Sequence, residues 1–319
     1  MKIVILDGHA LNPGDLNWDF LTSYGTVSYY ERTEQKQDTI DRMQDADIVL
    51  LNKVPITEDV IIACPSVKLI CVLATGYNVI DTNAAKRHGV TVCNVPGYGT
   101  SAVAQYSFAL LLELCHQVGA HSQSVFRGDW TNCKDFCYWL TPQRELAGKT
   151  MGIIGFGEIG RAVGRIAAAF GMKVLAYSRT LHPEYESIGS YVGLDELLTK
   201  SDVISLHCPL TQETERIIRS ETISKMKPTA LLINAARGGL VDECALSAAL
   251  STGRIGGYAA DVVTTEPISA ENPLLNAPNC ILTPHMAWAP VESRQRILNI
   301  TAQNIECFQA QKPINVVNP

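Results

Sequence analysis

Met151–Gly160 reads MGIIGFGEIG. Met151 to Ile154 is a short, mostly apolar run. The next six residues, Gly155-Phe156-Gly157-Glu158-Ile159-Gly160, have the spacing G-x-G-x-x-G. Beyond them Ile159, Val163, Ile166, Ala167 and Phe170 recur at helical spacing. A strand that turns through glycines into a helix is the context that gives this spacing its meaning. Gly155 permits the tight turn, Gly157 lets a pyrophosphate approach the backbone, and Gly160 lets helix and strand pack closely. The helix start offers unpaired N–H groups and the positive end of a dipole. Phe156, Glu158 and Ile159 join the three glycines as candidate dinucleotide contacts.

The next apolar run, KVLAY (173–177), leads into Ser178-Arg179-Thr180. In a dinucleotide fold this strand end usually carries an acid for the adenosine ribose. A carboxylate there would accept from a 2′-hydroxyl and repel a 2′-phosphate. Its absence, with Arg179 adjacent, favours NADP over NAD, and Ser178, Arg179 and Thr180 become candidate contacts. A solvated surface arginine is the alternative.

Further outward, short apolar runs alternate with helix-length segments along the whole chain. KIVIL (2–6), DIVLL (47–51), KLICVL (68–73) and VTVCNV (90–95) form one set. MGIIG (151–155), KVLAY, DVISLH (202–207), ALLIN (230–234), GGYAADV (256–262) and CILTP (280–284) form a second. Continuous apolar strands separated by helices predict parallel sheets covered on both faces, an α/β fold. The 319 residues suit two domains. Between the sets, Val103, Ser107, Leu110, Leu111, Leu114 and Val118 predict a helix over 101–118. Arg127–Pro142 then reads as an irregular arm bearing Trp130, Phe136, Tyr138 and Trp139. This arm is either a packed loop or a contact with a second subunit. A last helix is predicted over about 291–309, followed by INVV, which could return to the first set.

Composition narrows the class. Hydrophobic residues make up 46 % and charged residues 18 %, enough apolar material for real cores. The net charge of −6 gives no footprint for nucleic acid. No apolar run approaches a membrane span, and Met1–Asp7 is too short for a signal peptide. Ten cysteines lie scattered, several in apolar runs such as LICVLA, and read as reduced, buried thiols of a cytoplasmic protein. Cys133 and Cys137 have no second Cys or His pair nearby, so no metal is expected.

Three segments at strand ends of the second set carry polar chemistry: Asn234-Ala-Ala-Arg237-Gly238-Gly239, Asp261-Val-Val-Thr-Thr-Glu266-Pro267 and Thr283-Pro284-His285. Ligands of open parallel sheets bind beyond the C-terminal strand ends, where all three can converge.

Together with A-T-G-Y-N-V-I-D (74–81), these motifs, in this order, make the chain resemble the D-isomer-specific 2-hydroxyacid dehydrogenases over essentially its full length. PGYGT (96–100), DFCYW (135–139) and PHMAWAPVESR (284–294) are most similar to the glycerate dehydrogenase or hydroxypyruvate reductase branch. The resemblance implies two Rossmann-like, doubly wound parallel-sheet domains with a cleft between them. Residues 1–98 plus 290–319 would form a flavodoxin-like substrate domain, and 99–289 the dinucleotide-binding domain. It also implies a homodimer and an oxidoreductase acting on CH–OH donors, reducing a small 2-oxo acid such as hydroxypyruvate or glyoxylate with NAD(P)H.

Hydride arriving at a ketone leaves negative charge on oxygen, which calls for a proton and a cation. His285 is the candidate general acid/base, Glu266 the carboxylate that fixes its tautomer, and Arg237 the guanidinium for the substrate. The backbone around Thr75 and Gly76 would clamp the substrate carboxylate, since glycine allows close approach. Asn52 is a further substrate-side candidate; the adjacent Lys53 suits an acidic substrate or is simply solvated. Trp288 could wall the substrate pocket, and Trp139 could reach a neighbouring subunit. The resemblance adds Cys208, Pro209, Ala235, Asp261 and Thr100 as cofactor contacts, Asp261 being a cap or ion-pair residue otherwise. A phosphoglycerate dehydrogenase is the nearest rival, although few cations lie near 52–53 and 75–81. A formate dehydrogenase would have Gln at 266. A nucleotide-sensing dimeric scaffold without turnover is the alternative from another class.

Overall fold

The computed structural model describes all 319 residues. The chain divides into two compact units, Met1–Gly99 with Trp288–Pro319, and Thr100–Ala287.

In the first unit, β1 (Lys2–Ile5), β2 (Thr26–Tyr29), α1 (Lys36–Met43), β3 (Ile48–Leu51), α2 (Glu58–Ala63), β4 (Leu69–Val72), α3 (Thr82–Arg87) and β5 (Thr91–Cys93) follow in order. Their sheet is wholly parallel, ordered β2-β1-β3-β4-β5. Successive side chains of a strand point to opposite faces, so the unbroken apolar runs bury both. Val49, Leu51, Ile70 and Val72 pack with Val60, Ile61, Ala84 and Ala85 of the helices. Ile48, Leu50, Leu69 and Cys71 fill the other face.

In the second unit come α4 (Thr100–His116), α5 (Val118–Phe126), β6 (Thr150–Ile154), α6 (Glu158–Ala169), β7 (Lys173–Tyr177), β8 (Ser190–Tyr191), α7 (Leu194–Lys200), β9 (Val203–Leu206), α8 (Ser220–Ile223), β10 (Leu231–Asn234), α9 (Glu243–Ser251), β11 (Gly257–Ala260) and β12 (Cys280–Leu282). The seven strands are again parallel, in the order β12-β11-β10-β9-β6-β7-β8. The chain leaves β6 toward β7 and returns on the other side at β9, so the sheet switches direction between β6 and β9. Ligands of such sheets sit at that point. Phe108, Leu111, Val163 and Ala167 of α4 and α6 cover one face. Leu197, Leu198, Ile223, Leu246 and Leu250 cover the other.

α10 (Val291–Gln309) closes the first unit, with Ile297, Leu298 and Ile305 packed on the β3–β4 face. The tail then pairs antiparallel with β5 through Cys93 and Val316. No helix is long and apolar enough to cross a membrane.

The structure corrects several element expectations. β2 and β8 are additional strands. The helix expected to reach 118 stops at His116: Gln117 takes a left-handed conformation (φ 45°) and a separate helix, α5, begins. Val118, read as part of the apolar stripe, is therefore 63 % exposed. α5 ends at Phe126, immediately before the irregular arm Arg127–Pro142. All ten cysteines carry free thiols.

Candidate active site

The glycine loop follows β6 at the switch point. Gly155 has φ 96°, and a Cβ there would collide with the His207–Cys208 backbone arriving from β9. A Cβ on Gly160 would collide with the Gly155 carbonyl oxygen, which sets how closely α6 approaches the loop. Gly157 differs: its φ is ordinary (−72°), and a Cβ would meet nothing within 4 Å. Steric demand inside the protein explains the first and third glycines but not the second. The space at Gly157, with the side-chain-uncapped N-terminus of α6 beside it, fits a pyrophosphate approaching the backbone.

The remaining cofactor candidates distribute around this loop. The Phe156 side chain is core, edge-on to Tyr191 at 5.6 Å, which leaves only its backbone for a ligand. Ile159 packs against the same core. Glu158 lies in the first turn of α6, 3.4 Å from the Thr100 hydroxyl. Ser178 is half-buried after β7, and Arg179 and Thr180 are exposed. Cys208 is buried, which pushes its thiol up to about 11. Pro209 is exposed and Ala235 half-buried.

Three loops at the β10, β11 and β12 ends are tied together. After β10, Asn234 closes its own turn: Oδ1 accepts the Ala236 N–H (3.0 Å) and Nδ2 donates to the Arg237 carbonyl (2.9 Å). Arg237 is exposed and donates to its neighbour's carbonyl, Ala236 O, at 2.7 Å. Gly238 is compulsory, because a Cβ would strike the backbone of Val263 and Thr264 in the next loop. That loop carries Glu266 and is anchored by Glu243, which accepts the Thr264 N–H (2.7 Å) and the Asn272 amide (2.9 Å).

Glu266 Oε2 lies 2.6 Å from Nδ1 of His285, both side chains about one-third exposed. A carboxylate at Nδ1 favours the tautomer that carries its proton on that nitrogen. His285 is held at φ 53°, in the left-handed region, an unusual state for a non-glycine residue. Buried Asp261 enforces it. Its Oδ1 accepts the Thr283 hydroxyl (2.7 Å) and the Met286 N–H (2.9 Å), and its Oδ2 accepts the Ala287 N–H (2.7 Å). Its carboxylate thus caps the turn that bears His285.

In the first unit, the loop after β4 presents Thr75 and Gly76 at the surface. The Thr75 hydroxyl donates to Val95 O (2.9 Å), and Asn94 donates to Thr75 O (2.8 Å). Asn52 is 5 % exposed, and Asp7 accepts the N–H groups of Asn52 and Lys53 at 2.7 and 2.6 Å. Burial nevertheless pushes the Asp7 carboxyl upward. Trp288 is half-buried against the core containing Ile297 and Leu298.

Sequence reading did not single out Asn234, Glu243 and Asn94 as supports. Asn234 and Asn94 each lie at the C-terminal side of a strand, and Glu243 opens a helix; these are ordinary capping positions whose partners are invisible in one dimension.

A dinucleotide loop at the switch point of a seven-stranded parallel sheet and, in the same unit, an imidazole paired with a carboxylate are the marks of an α/β oxidoreductase. Residues 108–287 match the family model described as D-isomer specific 2-hydroxyacid dehydrogenase, NAD binding domain. The chain is 51 % identical over 321 residues to the hydroxypyruvate reductase of Blautia hydrogenotrophica, covering 100 % of both. It is 43 % identical to the glycerate dehydrogenase of Methylorubrum extorquens, covering 99 % of this chain and 98 % of that one. Among solved structures it is similar to an acyclic imino acid reductase in complex with NADPH and D-Arg (33 % identity, TM-score 0.87, 99 % and 100 % covered). It is also similar to the apo D-lactate dehydrogenase of Escherichia coli (26 %, TM-score 0.88, 99 % and 100 % covered). The chain belongs to the D-isomer-specific 2-hydroxyacid dehydrogenase family, whose cofactor is NAD(P).

Proposed function

We propose that the protein reduces a small 2-oxo acid, hydroxypyruvate or glyoxylate, to the corresponding 2-hydroxy acid (D-glycerate or achiral glycolate), with NADPH preferred. The names of its relatives, hydroxypyruvate reductase, glycerate dehydrogenase and glyoxylate reductase, support this substrate class.

The observation that carries the reading is the 2.6 Å contact between His285 Nδ1 and Glu266. When bound, the reduced nicotinamide supplies the hydride. His285 gives its Nε2 proton to the carbonyl oxygen as charge grows there, and Glu266 stabilises the imidazolium before transfer. Arg237 presents a planar cation to the substrate carboxylate or carbonyl. Thr75 and Gly76 offer the carboxylate backbone N–H groups that donate to nothing else in the chain. Asn52 is a lesser contact for the substrate, and Thr100 a lesser contact for the cofactor. Gly155–Gly160 with Cys208, Pro209, Ala235 and Asp261 would hold the dinucleotide.

The preference for NADP rests on exposed Arg179 with no carboxylate in Ser178–Thr180. Glu213, on the loop after β9, lies near enough to Arg179 to feel its charge and offsets it in part. We further propose a homodimer, since Phe126, Phe136 and Trp139 expose 89 %, 89 % and 67 % of their surface on the α5 end and the arm. Ten free thiols suit a cytoplasmic protein.

The test is loss of reduced-nicotinamide absorbance with a panel of 2-oxo acids and both nucleotides. Turnover of hydroxypyruvate or glyoxylate, with lower KM for NADPH than NADH, is expected. No oxidation with any 2-oxo acid contradicts the activity; a clear NADH preference contradicts the cofactor reading alone.

A further inference from the structure

The last six residues of the chain, INVVNP (314–319), do more than cover a sheet edge. They dock on β5 by several bonds. Val317 N donates to Val92 O (2.9 Å), and Asn318 accepts from Val92 N and donates to Val90 O, both at 2.8 Å. One residue of the tail faces elsewhere. Asn315 takes φ 55°, a left-handed conformation that Asn tolerates better than most. In that state its side chain donates from Nδ2 to Oδ1 of Asn304 on α10 (2.8 Å), while its carbonyl accepts the Asn94 N–H (3.1 Å). Asn304, fully buried, passes the chain on: its Nδ2 donates to the Asn94 carbonyl (2.9 Å). Asn94 in turn donates from Nδ2 to the carbonyl of Thr75 (2.8 Å).

Asn304 uses both ends of its side-chain amide, Oδ1 toward the tail and Nδ2 toward Asn94, and Asn94 links its tail-bonded main chain to the loop after β4 through its own Nδ2. Asn94 is gripped at both its N–H and its carbonyl, so its side chain has little freedom. Thr75 is then fixed from two sides, by Asn94 at its carbonyl and by its own hydroxyl on Val95 O. A peptide group is planar, so holding the Thr75 carbonyl also fixes the Gly76 N–H across the same bond.

We infer that Asn315, Asn304 and Asn94 are positioning residues for the Thr75–Gly76 loop, making the C-terminal tail part of the substrate carboxylate clamp. This rests on the reading of that loop given under Proposed function. The relay consists of neutral hydrogen bonds, buried at Asn304 and part-buried at its two ends, and removing one partner leaves the other polar group unpaired. Binding geometry at a carboxylate is sensitive to displacements of the order of 1 Å.

Deleting the tail would strip the β5 edge, so the test is Asn315→Gly, which keeps the backbone conformation and the Val317 and Asn318 bonds but removes the side-chain amide. Two quantities are read on the full-length protein: hydrogen–deuterium exchange of the peptide spanning 74–79, and KM for hydroxypyruvate alongside kcat and the Kd for NADPH. Faster exchange at 74–79 and a KM raised about tenfold, with kcat and nucleotide Kd within about twofold, are expected. A purely structural role would lower Tm and the active fraction while leaving KM and the 74–79 exchange at wild-type values, and that result overturns the inference. If the wild type turns over no 2-oxo acid, the functional reading falls by itself. The exchange measurement then still decides whether the tail holds the loop, with unchanged exchange counting against it.

Discussion

The main-chain N–H of His285 donates to the carbonyl of Asp261 at 2.8 Å, while the Asp261 carboxylate reaches past it to cap Met286 and Ala287. Backbone and side chain of one residue thus hold His285 where it meets Glu266. Asp261→Asn puts an amide donor against at least one of these donors. We expect kcat for 2-oxo acid reduction to fall by about 10- to 100-fold, with nucleotide-free Tm lowered only a few degrees. Wild-type kcat in this variant would show that the turn holds without the second carboxylate oxygen.

The left-handed conformation of His285 has a stability cost of its own, of the order of 1 kcal/mol. His285→Gly removes that cost and His285→Ala does not. In urea unfolding, the glycine variant should be more stable than the alanine variant by about 0.5–1 kcal/mol, with turnover lost in both. Equal stability would mean the backbone at 285 is not strained in solution.

The three loop glycines separate fold from binding. Gly160→Ala forces α6 away from the Gly155 carbonyl and should destabilise the protein by about 1–3 kcal/mol. Gly157→Ala meets open space, so its unfolding midpoint should match wild type while Kd for NADPH rises at least about tenfold. A Gly157→Ala protein that binds nucleotide normally would place the pyrophosphate elsewhere.

Much of the architecture is legible in one dimension because parallel strands buried on both faces are continuous apolar runs. KVLAY and the helix at 291–309 come out with their observed bounds. Exposed edge elements are not legible. β2 (TVSY) has three exposed residues and one half-buried, and β8 is two residues long, so neither leaves an apolar signature. α5 is broken from α4 by the single left-handed residue Gln117, which composition does not betray. Within the site, His285 and Glu266 are recognisable as chemistry-bearing types on strand-end motifs. Asp261 as a cap for residues 22–26 positions later is not, since that role exists only once β11 and β12 lie side by side.

His207 offers a pH test. Burial pulls its pKa down to about 4 from an ordinary 6.5, and its Nε2 lies 2.8 Å from the Ser205 hydroxyl. Between those two values the unfolded chain binds a proton that the folded chain refuses. Stability is therefore lost as pH falls from about 6.5 to about 4, and this contribution levels off below. His207→Gln should flatten the wild-type fall in Tm over that window; an unchanged slope would mean that the ring is protonated in the folded protein.

The central claim is that the His285–Glu266 pair supplies the proton in 2-oxo acid reduction. Its most direct test is the rate of NADPH oxidation by hydroxypyruvate in His285→Asn, an amide that tolerates the left-handed backbone, with the Kd for NADPH measured on the same sample. The account predicts kcat lower by about 10²- to 10⁴-fold and a Kd within about twofold of wild type. Turnover at the wild-type rate, with nucleotide still bound, would contradict it.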